Sequence, residues 1–162
     1  MRQAGDQRSR GFEVDLSAQP ARGLTAYASY ALTDAELTSF TELLVTQQGL
    51  FLRDHSGNEP AWVPRHLFNL WVSHERPGGL GLAGGVRAAS RQFAGEDNRF
   101  AVGSYVTLDA AVSWRKGRTR FALHGKNLTG TEYETRGLAG SSAVPARPLE
   151  VLARVDLRLG GR

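Results

Sequence analysis

The chain has 162 residues, no cysteine, nineteen glycines and a formal net charge of +4. That length suffices for one domain with a sizeable core, and the lack of cysteine excludes a disulfide framework or a thiolate metal centre. Mean hydropathy is −0.33 and no apolar run is long enough for a transmembrane helix, which leaves membrane-crossing strands open, because alternate residues facing a polar lumen dilute the average.

Residues 10–19 alternate Phe12, Val14 and Leu16 against Glu13, Asp15 and Ser17, the period of a half-buried strand. Pro20-Ala21-Arg22-Gly23 reads as a turn, and residues 24–34 as the returning strand with Tyr27 and Tyr30 on opposite phases. Residues 35–65 form a long polar segment, in which 42–45 and 50–52 suit either a short helix or a hairpin. Residues 66–76 are a further strand, and Pro77-Gly78-Gly79 turns it into residues 80–92. Residues 93–104 follow as a polar loop.

The hairpin of residues 105–115 and 119–127 has the sharpest pattern in the middle of the chain. Val106, Leu108, Ala110, Val112 and Trp114 share one phase, and Gly117-Arg118 suits a two-residue type II′ turn. That register sets Trp114 opposite Phe121, Val112 opposite Leu123 and Asp109 opposite Lys126. Residues 128–147 are a third long loop. In residues 149–159, Leu149, Val151, Ala153, Val155, Leu157 and Leu159 form one stripe against Glu150, Arg154, Asp156 and Arg158.

About seven strands result, several near the ~9–11 residues that cross a bilayer at a tilt rather than the ~5–6 of soluble strands. Short turns fall at one end of the sheet and long loops at the other, as in outer-membrane barrels with short periplasmic turns and long extracellular loops. The expected fold is therefore all-β: an antiparallel up-and-down transmembrane β-barrel segment, an open curved sheet in isolation, located in the Gram-negative outer membrane and facing its lipid. Residues 1–8 have no apolar h-region and so are no signal peptide, from which the chain is expected to be the C-terminal part of a longer protein. The alternative is a small soluble β-barrel that binds a hydrophobic ligand, with Leu149, Val151, Val155 and Leu157 turned inward.

Few residues point to chemistry. Gly79-Leu80-Gly81-Leu82-Ala83-Gly84 has the G-x-G-x-x-G spacing, but strand alternation runs on through Val86 and Arg87, and Glu96 and Asp97 come too early for the ribose contact. No cofactor is expected. His55, His66, His74 and His124 lack metal-ligand spacing, so no metal site is expected either. Ser9, Ser73 and Ser113 stand outside any nucleophile elbow, and no catalytic residue is expected. The interspersed charge fits solvated surface, lumen and membrane rim rather than a nucleic-acid site.

Several stretches, in order, resemble TonB-dependent outer-membrane receptors. They are Arg10-Gly11-Phe12-Glu13-Val14-Asp15-Leu16, Tyr27-Ala28-Ser29-Tyr30, Val63-Pro64-Arg65-His66, Gly84-Gly85-Val86-Arg87, Leu108-Asp109-Ala110 and Lys126-Asn127-Leu128. Together they look like the C-terminal strands of the siderophore-receptor branch and cover nearly the whole chain. The resemblance implies a large barrel closed by an N-terminal plug, with a ferric siderophore or similar chelate captured at the outer loops. It implies energy from the TonB complex acting on a short N-terminal box, and a barrel-assembly machinery that reads a terminal aromatic residue, where this chain has Leu159-Gly160-Gly161-Arg162. Residues 1–162 then form the C-terminal part of the barrel, with plug and box absent. Glu13, Asp15, Arg87, Asp109, His124, Lys126, Arg154 and Asp156 are expected to face the lumen, where they meet the plug or line the route. Trp62, Phe93 and Tyr133, with neighbouring arginines, are the candidates for contact with an aryl-containing, anionic chelate.

Overall fold

A computed structural model of the chain describes residues 5–138 and 142–159. Its strands are β1 (Gly5–Ala21), β2 (Leu24–Thr46), β3 (Gly49–Asp54), β4 (His66–Glu75), β5 (Leu80–Ala89), β6 (Gln92–Phe93), β7 (Ala101–Val102), β8 (Tyr105–Lys116), β9 (Thr119–Lys126), β10 (Glu134–Leu138), β11 (Ser142–Pro145) and β12 (Glu150–Leu157). One antiparallel sheet runs β1-β2-β4-β5-β8-β9-β12 with β3 attached to β2, while β6-β7 and β10-β11 are small separate ladders. The sheet is open, with β1 and β12 as its two edges, and the described residues contain no helix.

Because side chains alternate along each strand, lateral register decides whether neighbouring stripes agree. Here they do. One row of partners reads Leu16, Ala28, Leu70, Val86 and Leu108 across five strands. Another reads His74, Leu82, Val112, Leu123 and Ala153. The alternate rows carry the polar or small residues, such as Asp15, Ser29, Asn69, Arg87 and Thr107 beside the first of these. A single layer so sorted has no second layer to cover its apolar face. Leu16, Val155 and Leu157 are accordingly 60%, 58% and 63% exposed, which removes the inward-turned stripe of a closed soluble barrel.

The crossing strands β4 and β5 have ten residues each, which at ~3.4 Å per residue and a ~40° tilt span about 25 Å, the height of an outer-membrane apolar band. Rings mark both borders of that band. Phe12 and Tyr30 lie 5.7 Å apart at one border, and Trp114 and Phe121 lie 6.4 Å apart at the other.

The turn of the β8–β9 hairpin is as expected. Lys116 pairs with Thr119, and Gly117 takes the positive φ (58°) that the first position of a type II′ turn requires. Trp114 does face Phe121, and Val112 faces Leu123. The Asp109–Lys126 pair is not formed, because the ladder ends at Ala110–Gly125 and the Asp109 carboxylate accepts the Asn127 backbone N–H at 2.8 Å. Lys126 stands opposite Glu150 instead.

The larger departures concern the long loops. β1 and β2 run well past the expected limits of residues 10–19 and 24–34 and rise above the sheet. Of the two options for residues 42–52, the hairpin is the one formed, with Leu43 opposite Leu52 and Val45 opposite Leu50. A bulge between Asp6/Gln7 shifts the register so that Gln7 meets Leu37 but Asp6 meets Ser39, which re-phases β2 above it. The strand expected over residues 80–92 stops at Ala89, and Gln92–Phe93 pairs with Ala101–Val102 instead.

Outward orientation of the apolar rows makes a measurable difference between adjacent rows. In the whole protein folded into phospholipid vesicles, Leu70→Arg, at mid-band, is expected to lower stability by about 2–4 kcal/mol. Ser29→Arg, in the neighbouring polar row beside Asp15, is expected to change it by no more than about 0.5 kcal/mol. Urea titration read by heat-modifiable gel mobility checks both; equal losses would contradict the sorting of the faces.

Candidate functional site

Two regions carry polar chemistry: the polar face of the sheet and its long-loop end. The register sets Glu13, Asp15, Arg87, Asp109, His124, Lys126, Arg154 and Asp156 all on the face opposite the apolar rows. They are not gathered at one point. Asp15 accepts the Tyr27 hydroxyl proton at 2.8 Å, Arg87 Nε donates to the Tyr105 hydroxyl at 3.2 Å, and Arg154 pairs with Asp156 at 2.7 Å. His124 lines a shallow depression of about 430 Å³ near the short-turn end, with Trp71, Glu75, Ser113 and Arg120. Arg120 reaches both Ser113 Oγ at 3.1 Å and Glu75 at 3.8 Å.

Glycines shape this face. A Cβ added at Gly85 would collide with the Trp71 ring, so the indole lies across a glycine on the neighbouring strand. Gly79–Gly84 lies in the turn before β5 and in β5 itself, and no helix begins there to present N–H groups to a pyrophosphate.

The long-loop end is where the described residues are most deeply buried. Leu37, Ala94 and Val102 are 5%, 2% and 2% exposed, and His55 is buried with Nε2 2.9 Å from a Glu42 carboxylate oxygen. Two loops, residues 55–65 and 90–104, are stitched together by side chains bonding to backbone. Asn98 does most of this. Its Oδ1 accepts the Glu59 N–H at 2.8 Å, and its Nδ2 donates to the Glu59 carbonyl at 2.7 Å. Asn98 holds φ at 52°, a conformation that asparagine tolerates better than most residues. Asn58 Nδ2 donates to the Glu96 carbonyl at 2.7 Å, and the Ala61 N–H donates to the Glu96 carboxylate at 3.1 Å.

Trp62 and Phe93, singled out as loop aromatics, are brought together by this lock. The Trp62 N–H donates to the Phe93 carbonyl at 2.8 Å, and Trp62 itself has φ 63°, strained for an aromatic residue. Trp62 then borders a cavity of about 450 Å³ whose other walls include Phe40, Arg53, Glu42, Glu96 and Asp97. Tyr133 is elsewhere, stacked on Tyr105 with ring centroids 4.0 Å apart. Burial, followed by the neighbouring Tyr105, raises its phenol pKa above the ordinary value. The arginines expected to await an anion are already engaged. Arg91 lies over the Phe93 ring at 4.8 Å and 3.9 Å from Glu59, and Arg99 is 3.9 Å from Asp97. Near the same end the Ser56 hydroxyl and N–H hold the Asp54 carboxyl below its ordinary pKa.

A second asparagine closes the third long loop. Asn127 is 4% exposed at φ 49°; its Nδ2 donates to the Thr131 and Arg147 carbonyls at 2.9 and 3.2 Å, and its Oδ1 accepts the Thr131 N–H at 3.0 Å. Sequence reasoning gave neither Asn98 nor Asn127 a role. A lone asparagine beside a glycine-containing segment is a weak signal, and the Glu59 backbone that Asn98 holds lies 39 positions away. Among the described residues no three His, Asp or Glu side chains gather to hold a metal ion. The terminal residues 160–162 lie outside the described residues.

Residues 1–128 match the family described as TonB dependent receptor-like, beta-barrel. The chain belongs to that family. It is 33% identical over 140 residues to the ferrichrome outer membrane transporter/phage receptor of Escherichia coli (strain K12), covering 81% of this chain and 17% of that protein. Against the ferrioxamine receptor of Yersinia enterocolitica the identity is 25% over 122 residues, covering 75% of this chain and 16% of the relative. The chain thus spans about a sixth of the length of these two relatives. Among solved structures, the siderophore receptor PiuA from Acinetobacter baumannii superposes with a TM-score of 0.85 at 23% identity, over 94% of this chain and 22% of that one. The ferric yersiniabactin uptake receptor FyuA from Yersinia pestis gives 0.78 at 22% identity, over 95% and 24%. The fold is therefore a stretch of TonB-dependent receptor barrel wall in the outer membrane, and the family is one of receptors and transporters rather than enzymes.

The interlocked loops of this barrel segment make a specific expectation. Asn98→Ala removes both bonds to Glu59 and the favourable φ, a loss of roughly 1–3 kcal/mol confined to the loop end. Limited proteolysis of the whole receptor in detergent should then cut within residues 56–62 and 93–99 at least ~5-fold faster, by that same energy. Strand fragments and heat-modifiable mobility should be unchanged. Unaltered cleavage would show that Asn98 does not hold the loops.

Proposed function

We propose that this chain supplies wall strands, from the C-terminal part of the barrel, to a receptor that takes up ferric siderophores. The observation that carries the reading is the pairing of an outward apolar face with a locked, aromatic-lined cavity at the long-loop end. Relatives named for ferrichrome and ferrioxamine support the ligand class.

Capture is non-covalent. Iron stays within its chelator, so no protein ligand to the metal is required and no bond is made or broken by side chains. The interlocked loops present Trp62 and Phe40 as pre-ordered apolar walls, which lowers the entropic cost of binding. Glu42, Glu96 and Asp97 against Arg53 give this part of the site a negative balance, which favours a chelate of low net negative charge. Passage then follows the polar face, where Asp15, Arg87, Asp109, His124, Arg154 and Asp156 border the lumen alongside a plug. The energy comes from a TonB complex.

Uptake assays on cells expressing the whole receptor under iron limitation test this. Radiolabelled ferric tris-hydroxamate is expected to accumulate only when the TonB complex is present, and faster than a trianionic ferric tris-catecholate. Trp62→Ala should weaken binding by a factor of about 10 or less, the loss of one partly buried aromatic contact. A receptor that inserts correctly yet binds and imports no ferric chelate of any class would overturn the assignment.

A further inference from the structure

The short-turn end of the sheet holds a charge that capture and passage leave unused. Residues 20–25, 74–81, 114–121 and 155–159 contain seven Lys or Arg and only two Asp or Glu. Both carboxylates are occupied, Glu75 lying 3.8 Å from Arg120 and Asp156 2.7 Å from Arg154. Arg22, Arg76, Arg115, Lys116, Arg118 and Arg158 are exposed, and none has a carboxylate partner among the described residues. At the other end most arginines among the described residues are paired, Arg10 and Arg53 excepted. There Arg8, Arg65, Arg91 and Arg99 each lie within 4.0 Å of a carboxylate, on Glu36, Asp34, Glu59 and Asp97.

The position of the unpaired cations narrows what they meet. Lys116 shares the apolar face with Trp114, its Nζ 5.7 Å from the indole ring, and Trp114 stacks with Phe121. A lysine whose ammonium emerges beside an aromatic border is the arrangement of a side chain reaching the head-group layer. The Arg158 N–H donates to the Arg118 carbonyl at 3.0 Å, so the β12 end continues the rim of the β8–β9 turn. Successive short turns are two strands apart, about 10 Å along the rim, which makes a row of cations along it, with Lys116 on the lipid-facing side and Arg115 and Arg158 in the phase of the polar face.

We propose that this rim binds the phosphate head groups of anionic phospholipids in the leaflet that meets the short turns. The proposal rests on the outward orientation of the apolar face, and on nothing in the choice of chelate. Continuity with the lipid-facing rows commits the occupant to lipid: an acidic protein would have to approach cations that already stand at head-group depth. Their charge is unneutralised within the sheet, and each such cation near an anionic surface contributes appreciably to attraction.

The test uses the whole receptor in nanodiscs of phosphatidylcholine and phosphatidylglycerol in equal parts, with lipids retained on delipidation counted by native mass spectrometry. Wild type is expected to retain phosphatidylglycerol over phosphatidylcholine by about fivefold, a preference that salt weakens. The Arg76→Gln/Lys116→Gln/Arg118→Gln/Arg158→Gln variant should approach parity, whereas Arg91→Gln/Arg99→Gln at the loop end should keep the wild-type ratio. Should the quadruple variant fail to fold, Lys116→Gln and Arg118→Gln singly are each expected to lower the ratio. Parity in wild type, as an acidic protein partner would predict, overturns the proposal. So does an unchanged ratio in correctly inserted variants, or an equal dependence on these residues when lipopolysaccharide replaces phosphatidylglycerol. Failure to insert into either lipid would instead refute the outward apolar face, and chelate uptake is scored separately from both.

Discussion

Lateral backbone pairing at a single, unbroken register is the constraint on which this segment depends. In hydrocarbon each unmet N–H or C=O is penalised by several kcal/mol, so a crossing strand is viable only with a neighbour on both sides. The ladders from β1 to β12 meet that demand for five strands and leave one side of β1 and one side of β12 open. Seven strands at membrane tilt do not close around a plug-sized lumen, which takes about 22. The same register that satisfies the backbone also sorts the side chains. A slip of one residue at any ladder would turn Leu70 or Val86 into the lumen and Asn69 or Arg87 into lipid, so sorting and pairing are selected together.

The absence of a second layer moves burial to an unusual place. The middle of the sheet contributes little to a protein core, because its apolar rows meet lipid rather than one another. Burial is deepest instead around Leu37, His55, Ala94 and Val102, at the end where loops must stand in water. Water competes for every backbone bond there, and the loops answer with side-chain amides. Asn98 imitates a paired strand residue towards Glu59, and Asn127 performs the same service for Thr131 and Arg147. Such bonds hold irregular backbone in one shape.

What was legible in the sequence follows from what is periodic. The seven crossing strands, the sorting of turns and loops to opposite ends, and the Trp114–Phe121 pairing all follow from period-2 patterning and one glycine. The Asp109–Lys126 pair fails by one step, since extrapolating a ladder ignores the side-chain cap that ends it: Asp109 turns to the Asn127 N–H. The bulge opposite Leu37 and the loop-to-loop bonds of Asn58 and Asn98 are non-periodic, and the two asparagine bonds span 38 and 39 positions, so no window along the chain contains both partners. The aromatics Trp62 and Phe93 could be nominated by residue type. Their meeting could not, because it rests on a backbone bond between two loops.

The polar contacts of the segment then divide into two physical classes, which differ in how readily they exchange partners. On the polar face, Asp15–Tyr27 and Arg154–Asp156 are exposed pairs. Exposed pairs contribute on the order of 0–1 kcal/mol each, so exchanging one for a passing or moving partner is nearly neutral. Asn127 is the opposite case: buried, with both amide atoms engaged, it leaves unsatisfied carbonyls behind if it moves. Trp71 on Gly85 belongs with the fixed class, its ring held by contact with a neighbouring backbone. Rearrangement is therefore cheapest along the polar face and most expensive where loops join strands, so the wall is fixed most firmly at its long-loop end.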